Sequence, residues 1–319
     1  MTAKVPKVSI GLPVFNGAKY LAGTLDRLLS QTYPDFEIVV SDNASTDETS
    51  EICADYCNRD KRIRYFRNNS NIGAAPNFNR VFELSRGAYF AWAAYDDVHD
   101  RRFLERCVPI LDRNPDVVLS HSAIGFIDDN EAPVRFRTGK GSADDGDYIR
   151  DIYGNPVMEP DILHIAESSD PEVRFRDVLQ NVNWCLQVFG LIRADALRHT
   201  GLQRSYYGAD KVLLAELSLT GRFQQLEDVL FTKRIHQNMS FYQTTKEKRR
   251  WIDTSGARRM PQLHMIKDYA AAVRRTPLSL GQRLKCFVAI SGLVRRKGLW
   301  HRIFVPGPYN YLGINFGKK

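Results

Sequence analysis

Residues 8–49 read VSIGLPVFNGAKYLAGTLDRLLSQTYPDFEIVVSDNASTDET. An apolar run at 8–15 gives way to Asn16 and Gly17, and the next segment, 18–30, carries apolar residues at helical spacing. A second apolar run, 36–42, ends in Ser41-Asp42-Asn43 and leads into a second helical pattern at 46–58. Strand, polar tip, helix, strand, polar tip, helix is the rhythm of a parallel sheet with helical crossovers. Proline at 13 stiffens the first strand's exit and Gly17 allows a tight turn. The join lacks both GxGxxG and GxxxxGK[ST], so neither familiar phosphate loop is present.

The same rhythm continues to about residue 130. Further strand runs fall at 63–67, 88–95 and 117–127, with helical segments near 74–86 and 101–113. The expected fold class is therefore α/β, a mostly parallel sheet flanked by helices. In such sheets ligands bind beyond the carboxyl ends of the strands. Asn16, Asp42, Asn68 and Asp96 all stand at or just after strand ends, so the polar tips converge on one edge.

The pattern breaks at 131–172, where RTGKGSADDGDYIRDIYGNPVMEPD reads as a long loop or insertion. A helix is expected at 171–181, a buried strand in CLQVFGLIR, a helix in GADKVLLAELSLTG and a strand pair in FQQLEDVLFTKRIH. From about Thr245 the chain is helical and basic. Residues 241–319 carry 17 basic against 3 acidic residues, whereas the net charge of the whole 319-residue chain is only +8. This asymmetry sets the tail apart from the body and points to an anionic surface, membrane or nucleic acid. The expected division is 1–240 as the main domain and 241–319 as a basic helical extension. Five scattered cysteines without a CxxC pair read as free thiols. No secretory pattern precedes the first strand, and no run reaches the roughly 18 apolar residues that a membrane span needs. These features fit a cytoplasmic protein.

Four groups could carry chemistry. Asp96 and Asp97, in YDD, follow the apolar strand AYFAWAA; paired carboxylates suit a divalent cation, or else a solvated turn with Asp100 capping the next helix. Asp42 could read a nucleobase N–H, or close an Asx turn, with Asp47 in the first turn of the following helix. Asp210 opens a helix, as a cap or as a general base. Lys233, Arg234 and His236 lie on one short stretch that could clamp a diphosphate or add a metal ligand, or simply form a surface strand.

Taken in order, VSIGLPVFNGAKYLAGTLDRLLSQTYPDFEIVVSDNASTDET, NNSNIGAAPNFN with Gly73, AYFAWAAYDD, and YGADKVLLAELSLTGRF followed by LFTKRIHQNMS resemble the family 2 glycosyltransferases of the GT-A fold. The resemblance covers roughly 7–240. It implies an inverting enzyme that uses a nucleotide-sugar donor, UDP-linked in the usual case, with Mn2+ or Mg2+. It divides the main domain into a nucleotide-sugar part, 1–130, and an acceptor part, 131–240. It implies that Pro13, Val14, Asn16, Asp42, Gly73 and Asp96 frame the nucleotide, with Asp42 on the base. Arg234 and His236 would contact the diphosphate, Asp96, Asp97 and His236 the metal, and Asp210 would be the catalytic base. The implied acceptor is a saccharide or lipid-linked saccharide in bacterial cell-surface polysaccharide synthesis. The family often reads Asp-x-Asp-Asp at the fourth strand end; here Ala94 holds the first of those positions, which leaves the ribose or second metal contact unassigned. The competing classes are a nucleotide-sugar-binding protein without transfer and a nucleotidyltransferase, the latter disfavoured by the missing Gly-rich loop. The basic tail, with RLKCFVAISGLVRRKGLWHRIFVPG at 283–307, suits the plane of an anionic membrane, packing on the domain, or a second copy of the chain. Nothing else in the sequence calls for a nucleic acid.

Overall fold

In the computed structural model, residues 5–134, 136, 164–237, 239–255 and 260–295 are described. β1 (Val8–Val14), β2 (Phe36–Asp42), β3 (Ile63–Arg67) and β4 (Tyr89–Trp92) alternate with α1 (Ala18–Leu29), α2 (Thr49–Arg59) and α3 (Ala74–Glu83). Then come β5 (Val98–His99), α4 (Phe103–Arg113), β6 (Val117–Ile127), α5 (Pro171–Asn181), β7 (Leu191–Arg193), α6 (Ala194–Arg198), α7 (Ala209–Thr220) and β8 (Arg222–Arg234). The sheet order is β3-β2-β1-β4-β7-β6-β8-β5. β1 pairs in parallel with both β2 and β4, and β2 with β3, so four strand tips point the same way. Short β7 is antiparallel to both β4 and β6 and joins the first half of the sheet to the parallel pair β6–β8.

The two faces of the sheet bury separate cores, as the period of two along a strand requires. Phe90 and Trp92 of β4 face α3, α5 and α7, while Tyr89, Ala91 and Ala93 face α1 and α4. Gly11 of β1 is a packing necessity: a Cβ there would lie 2.6 Å from Phe90 and 2.7 Å from Val81. Burial of these aromatic and branched side chains at about 25 cal/mol per Å2 drives the layers together.

Two expected elements differ. CLQVFGLIR is not one strand: Leu186–Phe189 form a 3₁₀ turn and only Leu191–Arg193 extend. Cys185 enters the left-handed region at φ 56° ahead of that turn, which breaks the extended run. FQQLEDVLFTKRIH is not a strand pair but the body of β8, a single strand of 13 residues. Register shifts near Ser122 and Ala123 absorb its polar middle.

After β8 come α8 (Thr245–Ile252), α9 (Pro261–Arg275) and α10 (Leu280–Val294). Tyr269, Ala272, Val273, Cys286 and Ile290 join the same core as α5 and α7, so these helices pack on the body. Glu216 of α7 fastens α9 through Arg275, 2.6 Å away, and the preceding loop through Arg204 at the same distance. The opposite face of α10 leaves Leu280, Leu284 and Val288 exposed at 75%, 58% and 69%. Most of the 131–172 insertion and the end of the basic tail, with Leu299, Trp300, Ile303 and Phe304, lie outside the described residues.

Candidate active site

The strand tips open into a cavity of about 1550 Å3 lined by Pro13, Val14, Phe15, Asn43, Asn71, Asp96, Asp210 and Lys233, among others. Its far wall comes from the 3₁₀ turn at 186–189 and from α8 and α9. Two expected carboxylates, Asp96 after β4 and Asp210 at the start of α7, therefore face one space.

Asp96 meets His236, with Oδ2 and Nε2 2.8 Å apart and both side chains buried. Burial works to raise the Asp96 carboxyl, but Lys233 and His236 outweigh it and hold it below the usual carboxylate range. Asp97 points elsewhere. It is buried, bonds Lys233 Nζ at 3.0 Å and accepts from the Arg234 backbone N–H at 3.0 Å. Burial pushes its carboxyl up to about 6; Lys233 opposes the rise and the like charge of Asp96 adds to it. Asp97 anchors β8 and is not placed as a second metal ligand. Among the described residues no group of three or more His, Cys, Asp or Glu side chains converges on one point.

Arg234 also departs from expectation. Its guanidinium donates to the backbone carbonyls of Asp96 and Asp128 and pairs with Glu131, each at 3.0 Å. All of this holds the turn after β6 and leaves the buried side chain off the cavity wall. Lys233 is the β8 cation that reaches the cavity.

Asp42 is fully buried. Its Oδ1 accepts from the Ser45 N–H at 2.8 Å, and its Oδ2 accepts from Tyr65 Oη and Arg67 Nη1, both at 2.8 Å. Asn16, left-handed at φ 49°, accepts from the Thr46 N–H at 2.8 Å and so ties the first strand tip to the second. Asp47 stands before α2 rather than in its first turn and accepts from the Ala18 and Thr49 N–H groups. Pro13 and Val14 line the cavity. The sequence reading missed an asparagine cluster. Asn43 bridges Asn71 and Gly73, and Asn77 ties Ser41 to Asn68. The only signal was the density of asparagine in NNSNIGAAPNFN.

Gly73 has φ +92°, a conformation that favours glycine, and a Cβ there would lie 2.6 Å from both Asp253 Cα and Ile252 O. Its place is therefore the seat of the chain leaving α8, close to the nucleotide edge but not lining the cavity.

Asp210 sits in the first turn of α7, with its Oδ1 2.9 Å from the Lys211 N–H. Part of its surface opens to the cavity, yet protein surrounds it closely, and burial raises its carboxyl. The Lys211 backbone N–H opposes that rise, with the nearby Cys185 thiol adding a smaller part. A non-glycine residue in the left-handed region beside a carboxylate with a raised pKa is the kind of local strain that gathers at functional sites.

Residues 9–158 match the family model Glycosyl transferase family 2. That segment, just under half of the chain, carries the likeness to glycosyl transferase family 2. It is 35% identical over 116 residues to an uncharacterized glycosyltransferase of Rickettsia typhi, which is 36% of this chain and 35% of that protein. It is 25% identical over 241 residues to one of Haemophilus influenzae, covering 74% of this chain and 67% of that one. The chain thus spans about a third of the length of the Rickettsia relative. Among solved structures it is similar to S. aureus TarS 1–349, with TM-score 0.60 and 16% identity over 94% of this chain and 75% of that one. It is also similar to the mannosyltransferase PcManGT of Pyrobaculum calidifontis in complex with GDP-Man and Mn2+, with TM-score 0.50 and 15% identity over 94% and 84%. At these identities the likeness is one of fold: an α/β GT-A sheet flanked by helices.

Proposed function

We propose that this chain transfers a sugar from a nucleoside-diphosphate donor, UDP-linked by first choice, to a hydroxyl acceptor with inversion at the anomeric carbon. The observation that carries the reading is the placement of Asp96 and Asp210 in one cavity beyond the tips of β1, β2 and β4. A structure similar in fold was determined with UDP-GlcNAc bound, which favours the same donor class here.

The chemistry of the pair Asp96–His236 suits Mn2+ or Mg2+. Asp96 Oδ2 and His236 Nε2 are hydrogen-bonded at 2.8 Å; an ion held by both would replace that bond and complete its shell with phosphate oxygens and water. When bound there, the ion supplies positive charge against the leaving diphosphate. Lys233, at the cavity wall, adds to that charge. Pro13, Val14 and Phe15 give the base an apolar edge. Asp42 shapes the pocket by fixing Ser45, Tyr65 and Arg67, and we assign it to holding the base-binding tip. Asp210 takes the proton from the acceptor hydroxyl as that oxygen attacks from the face opposite the diphosphate. Its raised carboxyl is the more basic for its burial.

The acceptor we propose is a saccharide or lipid-linked saccharide of the cell surface. The exposed stripe Leu280, Leu284 and Val288, with Arg283 on the same helix and Arg295 just past its end, supports contact with an anionic leaflet. No described helix is long and apolar enough to cross a membrane. Co-sedimentation with phosphatidylserine vesicles tests that contact: Leu284→Asp should abolish it, and equal binding by the variant would refute it. The donor reading is tested by thermal shift with UDP, GDP and their sugars, each with and without Mn2+. A rise in Tm with one nucleotide family, enhanced by Mn2+ and lost in Asp96→Ala, is the expected result. No response to any nucleotide would refute it.

A further inference from the structure

The cavity is larger than the roughly 300–1,000 Å3 of an ordinary small-molecule site, at about 1550 Å3. It has room for a second ligand beside the donor. Its wall away from the strand tips includes Tyr207, Trp184, Trp251, Lys248 and Arg250. Tyr207 stands three residues ahead of Asp210, so this wall adjoins the proposed base.

The cations of the cavity are not equivalent. Arg204 is paired with Glu216 and Asp268, and Lys233 with Asp97. Lys248 has no carboxylate partner among the described residues. Its ammonium lies 4.9 Å from the centre of the Tyr207 ring, half-buried. The acids that could have reached it are engaged. Glu247, its neighbour in sequence, folds back on the Thr244 N–H and Oγ1 as part of the α8 cap. Asp253 accepts from the Ser255 N–H and Oγ. Burial alone lowers the Lys248 pKa, with no acid opposing it. An ammonium withdrawn from water without a counter-charge costs stability. The Tyr207 ring offsets part of that cost, and a bound anion would offset the rest.

We propose that this wall is the acceptor subsite, and that it takes a saccharide bearing an anionic group, a phosphate ester or a carboxylate, whose charge Lys248 neutralises. Trp184, Trp251 and Tyr207 offer flat apolar faces for the sugar ring beside that charge. The inference rests on the transferase reading above, which fixes the donor at the strand tips and Asp210 as the base.

The test uses the full chain saturated with UDP and Mn2+, titrated with glucose, glucuronic acid, glucose 1-phosphate and inorganic phosphate, read by Tm and tryptophan fluorescence. At least one anionic probe should bind where glucose does not, and which one binds tells phosphate from carboxylate. Lys248→Met should weaken that binding at least tenfold, leave UDP affinity unchanged and hold or raise the Tm of the unliganded chain, because an uncompensated charge is removed. Lys248→Arg, which keeps the charge, should retain the response. The proposal is overturned if no anion binds the wild type, if Lys248→Met binds the anions as the wild type does, or if Lys248→Met weakens UDP itself. Failure of UDP to bind the wild type is a separate outcome, and it overturns the transferase reading together with this one.

Discussion

Replacing Gly73 by alanine should detach the chain that follows α8 from the nucleotide edge. The residue has φ +92° and ψ 165°, a region almost reserved for glycine, where another residue costs about 1–3 kcal/mol in backbone strain. The added methyl would also meet main-chain atoms of Ile252 and Asp253 at 2.6 Å, closer than real contacts allow. Neither is a flexible side chain that can swing aside, so the backbone of one segment must move. That segment carries Lys248, Trp251 and Ile252 into the cavity wall. Destabilisation of a few kcal/mol lowers Tm by roughly 2–4 °C per kcal/mol in chains of 150–250 residues, and somewhat less in a longer one. Differential scanning calorimetry should therefore show a fall of several degrees. UDP affinity should suffer less than acceptor-dependent turnover, since Pro13, Val14 and Asp96 lie on other elements. A Gly73→Ala protein with wild-type Tm and wild-type turnover would refute the reasoning.

Two further outcomes follow from buried titratable groups. Burial raises Asp210, and the Lys211 N–H and, in smaller part, the Cys185 thiol oppose that rise. Turnover should therefore grow with pH as Asp210 deprotonates, and Cys185→Ala should move that rise to higher pH while Cys185→Ser moves it less; superimposable pH profiles would exclude the contact. His121 is buried, with its pKa pushed down to about 4 by burial. Because the folded value lies below the unfolded value of about 6.5, its contribution is intact above pH 6.5 and is lost as pH falls toward 4, by roughly 3 kcal/mol at 1.36 kcal/mol per pKa unit. His121→Gln should flatten the acid loss of stability in denaturant titrations at pH 7, 5.5 and 4, and an unchanged slope would refute it.

Much of the fold was legible because the first half of the chain states it locally. Each apolar run of β1 to β4 is flanked by its own helical pattern, and α5 falls at 171–181 as read. CLQVFGLIR was misread because a short buried run looks alike in a strand and in a tight turn; the left-handed Cys185 that decides it leaves no mark in composition. The polar QQLED of β8 looked like a turn because the bulged partner that accommodates it, β6, lies a hundred residues away. The same distance hid the true partners of the site. Asp96, His236 and Asp210 stand out in sequence by type and by position near element ends, and the fold puts Asp96 and Asp210 on the cavity wall. Whether Arg234 faces a diphosphate or a turn depends on Asp128 and Glu131, and whether Asp97 is free depends on Lys233. Those pairings are made by the fold and not by neighbours in sequence. Lys248 was invisible for a related reason: its interest lies in the carboxylates that turn away from it.

The central claim is that Asp210 removes a proton in a cavity that holds a nucleotide sugar by other residues. Single-turnover transfer by Asp210→Asn, with donor binding measured on the same protein, tests it most directly. The substitution keeps the shape of a side chain already placed by the Lys211 N–H. Donor affinity should stay near that of the wild type while the rate falls roughly 10²–10⁴-fold, the usual scale for a lost general base. A variant that binds donor and transfers sugar at the wild-type rate would contradict the account.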